Sequence, residues 1–549
     1  MLNGSFRRGK VDVDFYLHRV FRKKSFRPLQ RDVISAAIEG HDVFLQASTS
    51  FGKSLCFQLP AITTHGVTVV VCPLLSLMTD QVNALQALGV PVATINSNTT
   101  LAERRVILDD LLSGHPRTRL LYVTPEFCQT ETFRRNLRTI HRQRELVRIA
   151  IDEAHCVSEW GHDFRPAYKN LSWFRTALTN PPVPISALTA TATPQVRTDI
   201  INVLGLDVSR MKIFSTPSAR PNIHYEIRFM QEFAPDPTEP EDFQIKDLLS
   251  WLRSVQGRRE ARLGADAASK LPPISGIIYV STRVAAAKLA RELSRRDKRI
   301  RAVAYHAGLS PVDRTRVQNE WIVPQKHQQA MDGEALTFYI IVATTAFGMG
   351  IDNPEVRFVI HWSPPRTFEG FVQESGRAGR DGRAATSVVY YNPQERERVL
   401  DRLRRDIENV NNRTGGRTAG LHNRDKFSLL QNLYARKQSF EKVVEYCEAT
   451  ERCRHELIGE FFGDSDLERM GSQVPTKTEA RLDAERPATA PSSSPCDYAC
   501  DFCKEGPKAL AQRKEKMAPE SQLPTSVEVG WLEAMFPLER MFTGLHRVG

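Results

Sequence analysis

Short, largely apolar runs alternate with helical patterns along the first 214 residues. The runs at 43–46, 67–72, 92–95, 120–123, 147–151, 185–189 and 211–214 are rich in Val, Ile and Leu. Runs that are apolar at every position predict strands buried on both faces, and the spacing between them leaves room for crossover helices. That combination predicts a three-layer α/β domain with a parallel sheet. The rhythm breaks at 231–240, which is acidic and rich in proline, and the Arg/Ala-rich stretch 258–270 reads either as a loose helix or as unstructured. It resumes with candidate strands at 276–280, 301–305, 338–342, 356–361 and 385–390. A second α/β domain over 224–393 follows, joined to the first near Arg220-Pro221-Asn222 and carrying a solvated insertion at 324–336.

Beyond residue 393 the pattern changes again. Residues 394–462 are charged and helical in pattern. Residues 464–495 are rich in Ala, Pro, Ser and charge, which predicts a disordered loop. The expected division is therefore 1–223, 224–393, 394–505 and a mostly disordered tail, 506–549, in which 527–542 could form one amphipathic helix.

Composition narrows the class. A chain of 549 residues is too long for one core, and 41% apolar with 25% charged residues is ordinary for a soluble protein. No 18-residue apolar run suggests a membrane span, and the first residues lack the apolar segment of a secretory signal. The net charge of +11 favours a polyanionic partner, although 75 Lys and Arg against 64 Asp and Glu is also compatible with a merely basic protein. Of nine cysteines, Cys56, Cys72, Cys128 and Cys156 sit among apolar neighbours and read as buried thiols, while the other five fall between Cys447 and Cys503. That distribution is no secreted disulfide framework and, taken with the nucleotide-site residues described next, points to a reducing compartment.

Two spacings carry chemistry in the first domain. The loop Gln46-Ala47-Ser48-Thr49-Ser50-Phe51-Gly52-Lys53-Ser54 follows an apolar strand and ends in an ammonium and a hydroxyl suited to nucleotide phosphates and Mg²⁺. About a hundred residues later, Asp152-Glu153-Ala154-His155 ends a second strand with one carboxylate for the metal and one to orient water. In the second domain, Gln373-Glu374-Ser375-Gly376-Arg377-Ala378-Gly379-Arg380-Asp381-Gly382 places two arginines three apart, where guanidinium forks suit a γ-phosphate in transfer. A surface turn is the plainer alternative. The Gly/Thr-rich run 342–352 just upstream favours an arginine finger acting across a domain interface.

The tract 156–166 directly after the carboxylates holds Trp160, His162, Phe164 and Arg165. Its rings either stack on bases, at roughly 1–3 kcal/mol each, or belong to the core. Near the end of the chain, Cys453 and the Cys496, Cys500, Cys503 trio are spaced for tetrahedral zinc, with free thiols or a redox pair as the alternatives. Cys447, less than two turns before Cys453, reads as a bystander.

In order, Phe26-Arg27-Pro28-Leu29-Gln30, Gly52-Lys53-Ser54, Asp152–His155, Thr189-Ala190-Thr191-Ala192-Thr193, Tyr305-His306-Ala307-Gly308-Leu309, the 342–352 run and Gln373–Gly382 resemble a superfamily 2 helicase. With the aromatic tract added, the chain resembles the RecQ family of ATP-dependent DNA helicases from about residue 15 to 505. The resemblance implies an α/β fold of two RecA-like parallel-sheet lobes followed by a helical zinc-binding subdomain, in a short form without winged-helix and HRDC modules. It implies that Gln30 reads adenine and Arg27 holds the N-terminal segment. Thr49, Ser50, Phe51, Gly52 and Lys53 would cradle the phosphates, while Ser54 and Asp152 hold Mg²⁺. Glu153 would position water, Gly348 and Asp352 would also face the nucleotide, and Arg377 and Arg380 would act from the second lobe, Arg380 as the finger. Thr189-Ala190-Thr191 would couple nucleotide state to lobe movement.

The tract with Trp160, His162, Phe164 and Arg165 would meet DNA, and Cys453, Cys496, Cys500 and Cys503 would hold Zn²⁺. One departure stands out: Ser50-Phe51-Gly52 replaces the glycines the family usually has before Gly-Lys-Ser. The implied function is ATP-driven 3′-to-5′ translocation on single-stranded DNA with unwinding of forked or branched duplex, in repair, recombination or replication. The location would be the nucleus in a eukaryote and the cytoplasm otherwise. A DNA-stimulated ATPase that remodels without processive unwinding and an RNA helicase are the alternatives.

Overall fold

The computed structural model describes residues 11–161, 163–230, 240–322, 336–348, 353–412, 423–471, 496 and 499–515. The first sheet contains β1 (Val43–Gln46), β2 (Val67–Val71), β3 (Val92–Ile95), β4 (Leu120–Val123), β5 (Leu146–Ile151), β6 (Ile185–Thr189) and β7 (Lys212–Ser215). Their order is β3-β4-β2-β5-β6-β1-β7, and every pairing is parallel. β1, β2, β4 and β6 are buried at every position, as continuous apolar runs require when helices cover both faces. The chemistry-bearing segments 47–54, 152–157 and 190–193 all leave the carboxyl ends of adjacent strands, β1, β5 and β6. Parallel sheets collect their sites at that edge.

The second sheet runs β8 (Ile223–Phe229), β9 (Ile274–Tyr279), β10 (Ile300–Tyr305), β11 (Phe338–Ala343), β12 (Val356–His361) and β13 (Ala385–Tyr391). Its order is β10-β11-β9-β12-β13-β8, again all parallel. The chain is thus α/β with two RecA-like parallel-sheet lobes. β8 is not expected from the apolar pattern, because Ile-His-Tyr-Glu-Ile-Arg-Phe alternates instead of running apolar throughout. It is an edge strand, and its alternation matches one face turned to a covering layer. The 258–270 stretch, left between loose helix and no structure by its composition, lies in two helices, Pro240–Leu263 and Ala265–Ser269.

Three helices follow the second sheet, Pro393–Asn412, Asn423–Glu448 and Arg454–Phe462. The composition of 464–495 predicts a disordered loop, yet its first eight residues form the helix Asp464–Gly471. Leu467 is fully buried in the core of the first lobe, and Asp464 accepts hydrogen bonds from Ser218 N (2.9 Å) and Ser218 Oγ (2.7 Å). That burial outweighs the charge around it. The tail also begins with a helix, Pro507–Glu515. Residues 472–495, the 324–335 part of the insertion and the 527–542 helix lie outside the described residues.

The cysteine-bearing segment closes the open edge of the second sheet. Tyr225 of β8 donates through its N–H to Ala499 O at 3.2 Å, Ile227 N–H donates to the Asp501 carboxylate at 3.0 Å, and Arg513 donates to Ile227 O at 2.6 Å. Covering an edge in this way removes unpaired backbone groups. Asp501 is itself fully buried against the fully buried Arg454, whose Nε and Nη2 donate to its two oxygens at 2.8 and 3.2 Å. A bidentate pair completed by backbone donors can exist without water, whereas half of it cannot. Arg454→Ala should therefore cost about 3–5 kcal/mol, because it strands a buried carboxylate. The measurement is the melting temperature of the purified variant, and an unchanged value would refute this role.

Candidate active site

The loop 47–54 is held from three sides. Gln30 accepts from Arg27 N–H (2.8 Å) and donates to Phe51 O (2.7 Å), so both ends of its amide are engaged in tying the N-terminal segment to the loop. Phe51 is buried in the core of the first lobe and is not among the residues with positive φ. The left-handed conformation falls on Gly52 (φ +81°), where a Cβ would come within 2.8 Å of Gln30 Nε2. The departure at Ser50-Phe51 therefore does not strain the loop: a glycine's freedom is needed only where a glycine remains. Ser54 holds the N-cap position of the helix Leu55–Thr63 without a side-chain capping bond and lines the cleft, so that helix's N-terminus faces it.

Lys53 is buried and donates through Nζ to Ala47 O (3.0 Å) and Ser48 O (3.3 Å). Burial pushes its ammonium below the ordinary lysine range, against the upward pull of Glu153 and Asp152. Asp152 takes hydrogen bonds from Gln81 Nε2 (3.3 Å) and Glu153 N (3.1 Å), and its carbonyl accepts from Tyr168 Oη (3.1 Å). Burial, and then the neighbouring Glu153, raise the Asp152 carboxyl to about 6, and burial likewise raises Glu153. Glu153 sits in a left-handed conformation (φ 49°, ψ 49°), an uncommon one for a residue with a side chain. Its Oε2 lies 3.4 Å from His155 Nδ1, which is 3.0 Å from Thr189 Oγ1, which in turn accepts from Thr191 N (3.2 Å). Burial lowers His155 to about 3, so its imidazole is neutral. The carboxylates and the Thr-Ala-Thr segment thus lie along one line of close polar contacts, hydrogen-bonded from His155 onward.

A cleft of about 570 Å³ receives both lobes. Arg27, Gln30, Thr49, Ser50, Gly52, Lys53, Ser54, Asp152 and Glu153 line one wall, and Pro354, Gln373, Arg377 and Arg380 line the other. Arg377 is buried, with a hydrogen bond to Tyr279, and its charge reaches Glu153. Arg380 is close enough to Lys53 to depress its ammonium. At the seam, Thr49 Oγ1 donates to Gly376 O at 3.1 Å, and a Cβ on Gly376 would stand 2.9 Å from that hydroxyl. Gly348 belongs to the second lobe, 3.7 Å (to a Cβ built on it) from Arg377 Nη2, and does not line the cleft. Asp352 and His162 lie outside the described residues.

This arrangement can bind a polyphosphate between the lobes and present two carboxylates and two guanidiniums to its far end. A DEAD/DEAH box helicase model matches residues 27–200, and a model of the helicase conserved C-terminal domain matches residues 267–382. ATP-dependent DNA helicase Q5 of Rattus norvegicus is 40% identical over 452 residues, covering 82% of this chain and 42% of that protein. RecQ-like DNA helicase blm-1 of Caenorhabditis elegans is 38% identical over 459 residues, covering 83% of this chain and 40% of its own length. The chain belongs to the RecQ family. It spans about two fifths of the length of these RecQ relatives. In fold it is similar to the DUF1998 helicase MrfA bound to DNA and AMPPNP, with a TM-score of 0.50 at 15% identity over 73% of this chain and 54% of that one.

The aromatic tract of this RecQ chain adopts a position between the two sequence alternatives. Trp160 is half-buried and packs on the core of the first lobe. Phe164 is also half-buried, stays outside that core, and carries Lys169 Nζ 5.5 Å above its ring. Arg165 donates to Pro73 O at 2.6 Å. Glu159 fastens the tract to the helix Asn423–Glu448, accepting from Ser428 Oγ (2.7 Å) and, at its carbonyl, from Asn432 Nδ2 (3.3 Å).

Cys453, Cys496, Cys500 and Cys503 bring their sulfurs within 4.8 Å of one another. The Cys453–Cys500 and Cys496–Cys500 sulfurs are 3.8 and 3.5 Å apart. A tetrahedron with Zn–S bonds of about 2.3 Å has edges of about 3.8 Å, so the four thiols fit zinc. Cys447 is buried away from this group.

Several site residues lie outside the motifs. Gln81 positions Asp152 and is itself held by Tyr122 Oη (2.9 Å), which accepts from Gln58 Nε2 (3.1 Å). Gln58 interrupts the otherwise apolar helix Leu55–Thr63, the one sequence signal that could have exposed this network. Because Asp152 has a folded pKa raised above its unfolded value, the fold is favoured below about pH 4 and loses that contribution as pH rises through about 6. Asp152→Asn should therefore raise the melting temperature of the nucleotide-free, metal-free protein at pH 7 and leave it nearly unchanged at pH 4. A lower melting temperature at pH 7 would contradict the burial cost.

Proposed function

We propose that this chain is an ATP-dependent DNA helicase that couples ATP hydrolysis to 3′-to-5′ translocation on single strands and to unwinding of forked or branched DNA. One observation carries the reading: the arginine pair of the second lobe lines the same cleft as Lys53, Asp152 and Glu153 of the first. Nucleotide binding and lobe closure then become one event, the requirement for a motor. The names of the RecQ relatives support DNA as the track, and in a eukaryotic cell that work would lie in the nucleus. No helix of the described residues is long and apolar enough to cross a membrane.

In this reading Lys53 binds the β- and γ-phosphates, Ser54 and Asp152 hold Mg²⁺, and Glu153 orients the attacking water. Mg²⁺, when bound, neutralises phosphate charge as it develops. Arg377 and Arg380 stabilise the transferring phosphoryl group, with Arg380 as the finger, and Gln30 faces the adenine end. Glu153, His155 and Thr189 relay nucleotide state toward the Thr-Ala-Thr segment, and Trp160, Phe164 and Arg165 sense single strands beside it. Lys53→Ala should abolish DNA-stimulated hydrolysis and strand separation on a forked substrate while DNA binding persists. Trp160→Ala with Phe164→Ala should keep basal hydrolysis and lose its stimulation by single strands. Stimulated hydrolysis by the parent protein without strand displacement would overturn the helicase reading in favour of a remodelling ATPase, and displacement confined to RNA would overturn DNA as the track.

The cysteine cluster would hold one structural Zn²⁺, with all four positions filled by protein and no place for a catalytic water. Cys500→Ser should lose metal and soluble yield, and Cys447→Ser should lose neither. Elemental analysis of the folded, active protein checks this; well under one zinc per chain would sink it.

A further inference from the structure

Within the seven residues joining the lobes, 216–222, Ser218 to Asn222 make more contacts than a tether needs. Arg220 is 7% exposed, and its guanidinium donates to three main-chain carbonyls of the arginine loop, Gly376 O (3.0 Å), Ala378 O (3.0 Å) and Gly379 O (2.5 Å). Asn222 adds hydrogen bonds to Gly379 O (2.9 Å) and Arg383 O (2.8 Å). The helix Phe368–Ser375 ends immediately before this loop, so these carbonyls lie beyond its hydrogen-bond ladder, with Gly379 O accepting in addition from Gly382 N–H (3.0 Å). A cation there also meets the negative end of the helix dipole. Gly379 has φ +57°, and a Cβ on it would come within 2.6 Å of Asn222 Nδ2, so the loop is packed directly onto the linker.

We propose that Arg220 is a positioning residue for phosphoryl transfer: it fixes the main chain of 376–379, and through it the directions of Arg377 and Arg380 into the cleft. This rests on the assignment of those two arginines to the transferring phosphate. Arg220 does not line the cleft itself. A planar fork that reaches three carbonyls at once suits the task, and a single ammonium cannot reproduce it. The Gly376 carbonyl it holds is the same one that accepts from Thr49, so the linker, the arginine loop and the phosphate loop of the opposite lobe meet at one peptide group. Loss of Arg220 would leave ATP contacts of the first lobe intact while the finger wanders. Misplacement on the scale of an ångström costs about 10²-fold in rate.

The test uses the full chain with single-stranded DNA present, comparing Arg220→Ala, Arg220→Lys and Arg380→Ala for kcat, the KM for ATP and melting temperature. Arg220→Ala should lower kcat by about 10²-fold with KM for ATP nearly unchanged, and Arg220→Lys should recover only part of that. In the double variant Arg220→Ala with Arg380→Ala, the losses should fall well short of multiplying, because one residue acts through the other. Unchanged kcat in Arg220→Ala, or fully multiplicative losses in the double variant, would overturn the proposal. If Arg220→Ala does not fold, the lysine variant decides: parental kcat in folded Arg220→Lys overturns it, and a reduced kcat at parental KM upholds it. A failure of the underlying assignment reads differently, since Arg380→Ala would then turn over ATP at the parental rate.

Discussion

Everything in this molecule depends on a charge imbalance that one lobe cannot settle alone. Asp152 and Glu153 are buried side by side with the Lys53 ammonium close by, and burial drives all three toward their neutral forms. The missing positive charge is contributed by Arg377, whose field favours the ionised form of Glu153. Separated from the second lobe, the carboxylates would face water or take up protons. With the lobes together, they are largely buried at the cleft wall, where charge acts more strongly than in bulk water. Strained backbone at Glu153 belongs to the same picture, because a left-handed turn carries the carboxylate away from β5 into the cleft.

The rest of the fold serves to bring those charges to one place reproducibly. Parallel strands deliver three loops to one edge, and the second sheet delivers the arginine loop through the helix Phe368–Ser375, capped at its start by Thr367 and held at its end by Arg220. The segments after the second sheet touch both lobes: Asp464 binds Ser218 of the linker and Leu467 seats in the core of the first lobe, while Asp501 and Arg513 seat on β8 of the second. They brace the pair from outside the cleft, and their helix Asn423–Glu448 reaches Glu159 beside the aromatic tract.

How much of this was legible follows from the physics of each signal. Strands buried on both faces announce themselves as apolar runs, which is why β1, β4, β6 and β12 are read at their observed limits. β8 hides because an edge strand alternates, and the helix Asp464–Gly471 hides because a single leucine among charges carries its docking. The motif residues of the cleft are readable since phosphate and metal demand particular side chains at fixed spacing. Gln81, Tyr122 and Arg220 act through hydrogen bonds to partners distant in sequence, and no local pattern encodes that. Phe51 is the instructive case: its side chain looks foreign to a phosphate loop, but the backbone asks for freedom only at Gly52.

The cysteine cluster and the cleft are joined by the same linker that positions the arginines. His455, two residues after Cys453, lies against the Arg220 carbonyl (3.3 Å) and the Tyr225 ring (4.9 Å between centroids). Tyr225 pairs with the cysteine segment through Ala499 O. A metal gripping Cys453 and Cys500 would therefore hold the two segments that flank the linker, one through His455 and one through β8. Order at the thiols and order at the arginine loop are then not independent: the cysteine cluster and the loop carrying Arg377 and Arg380 share one frame.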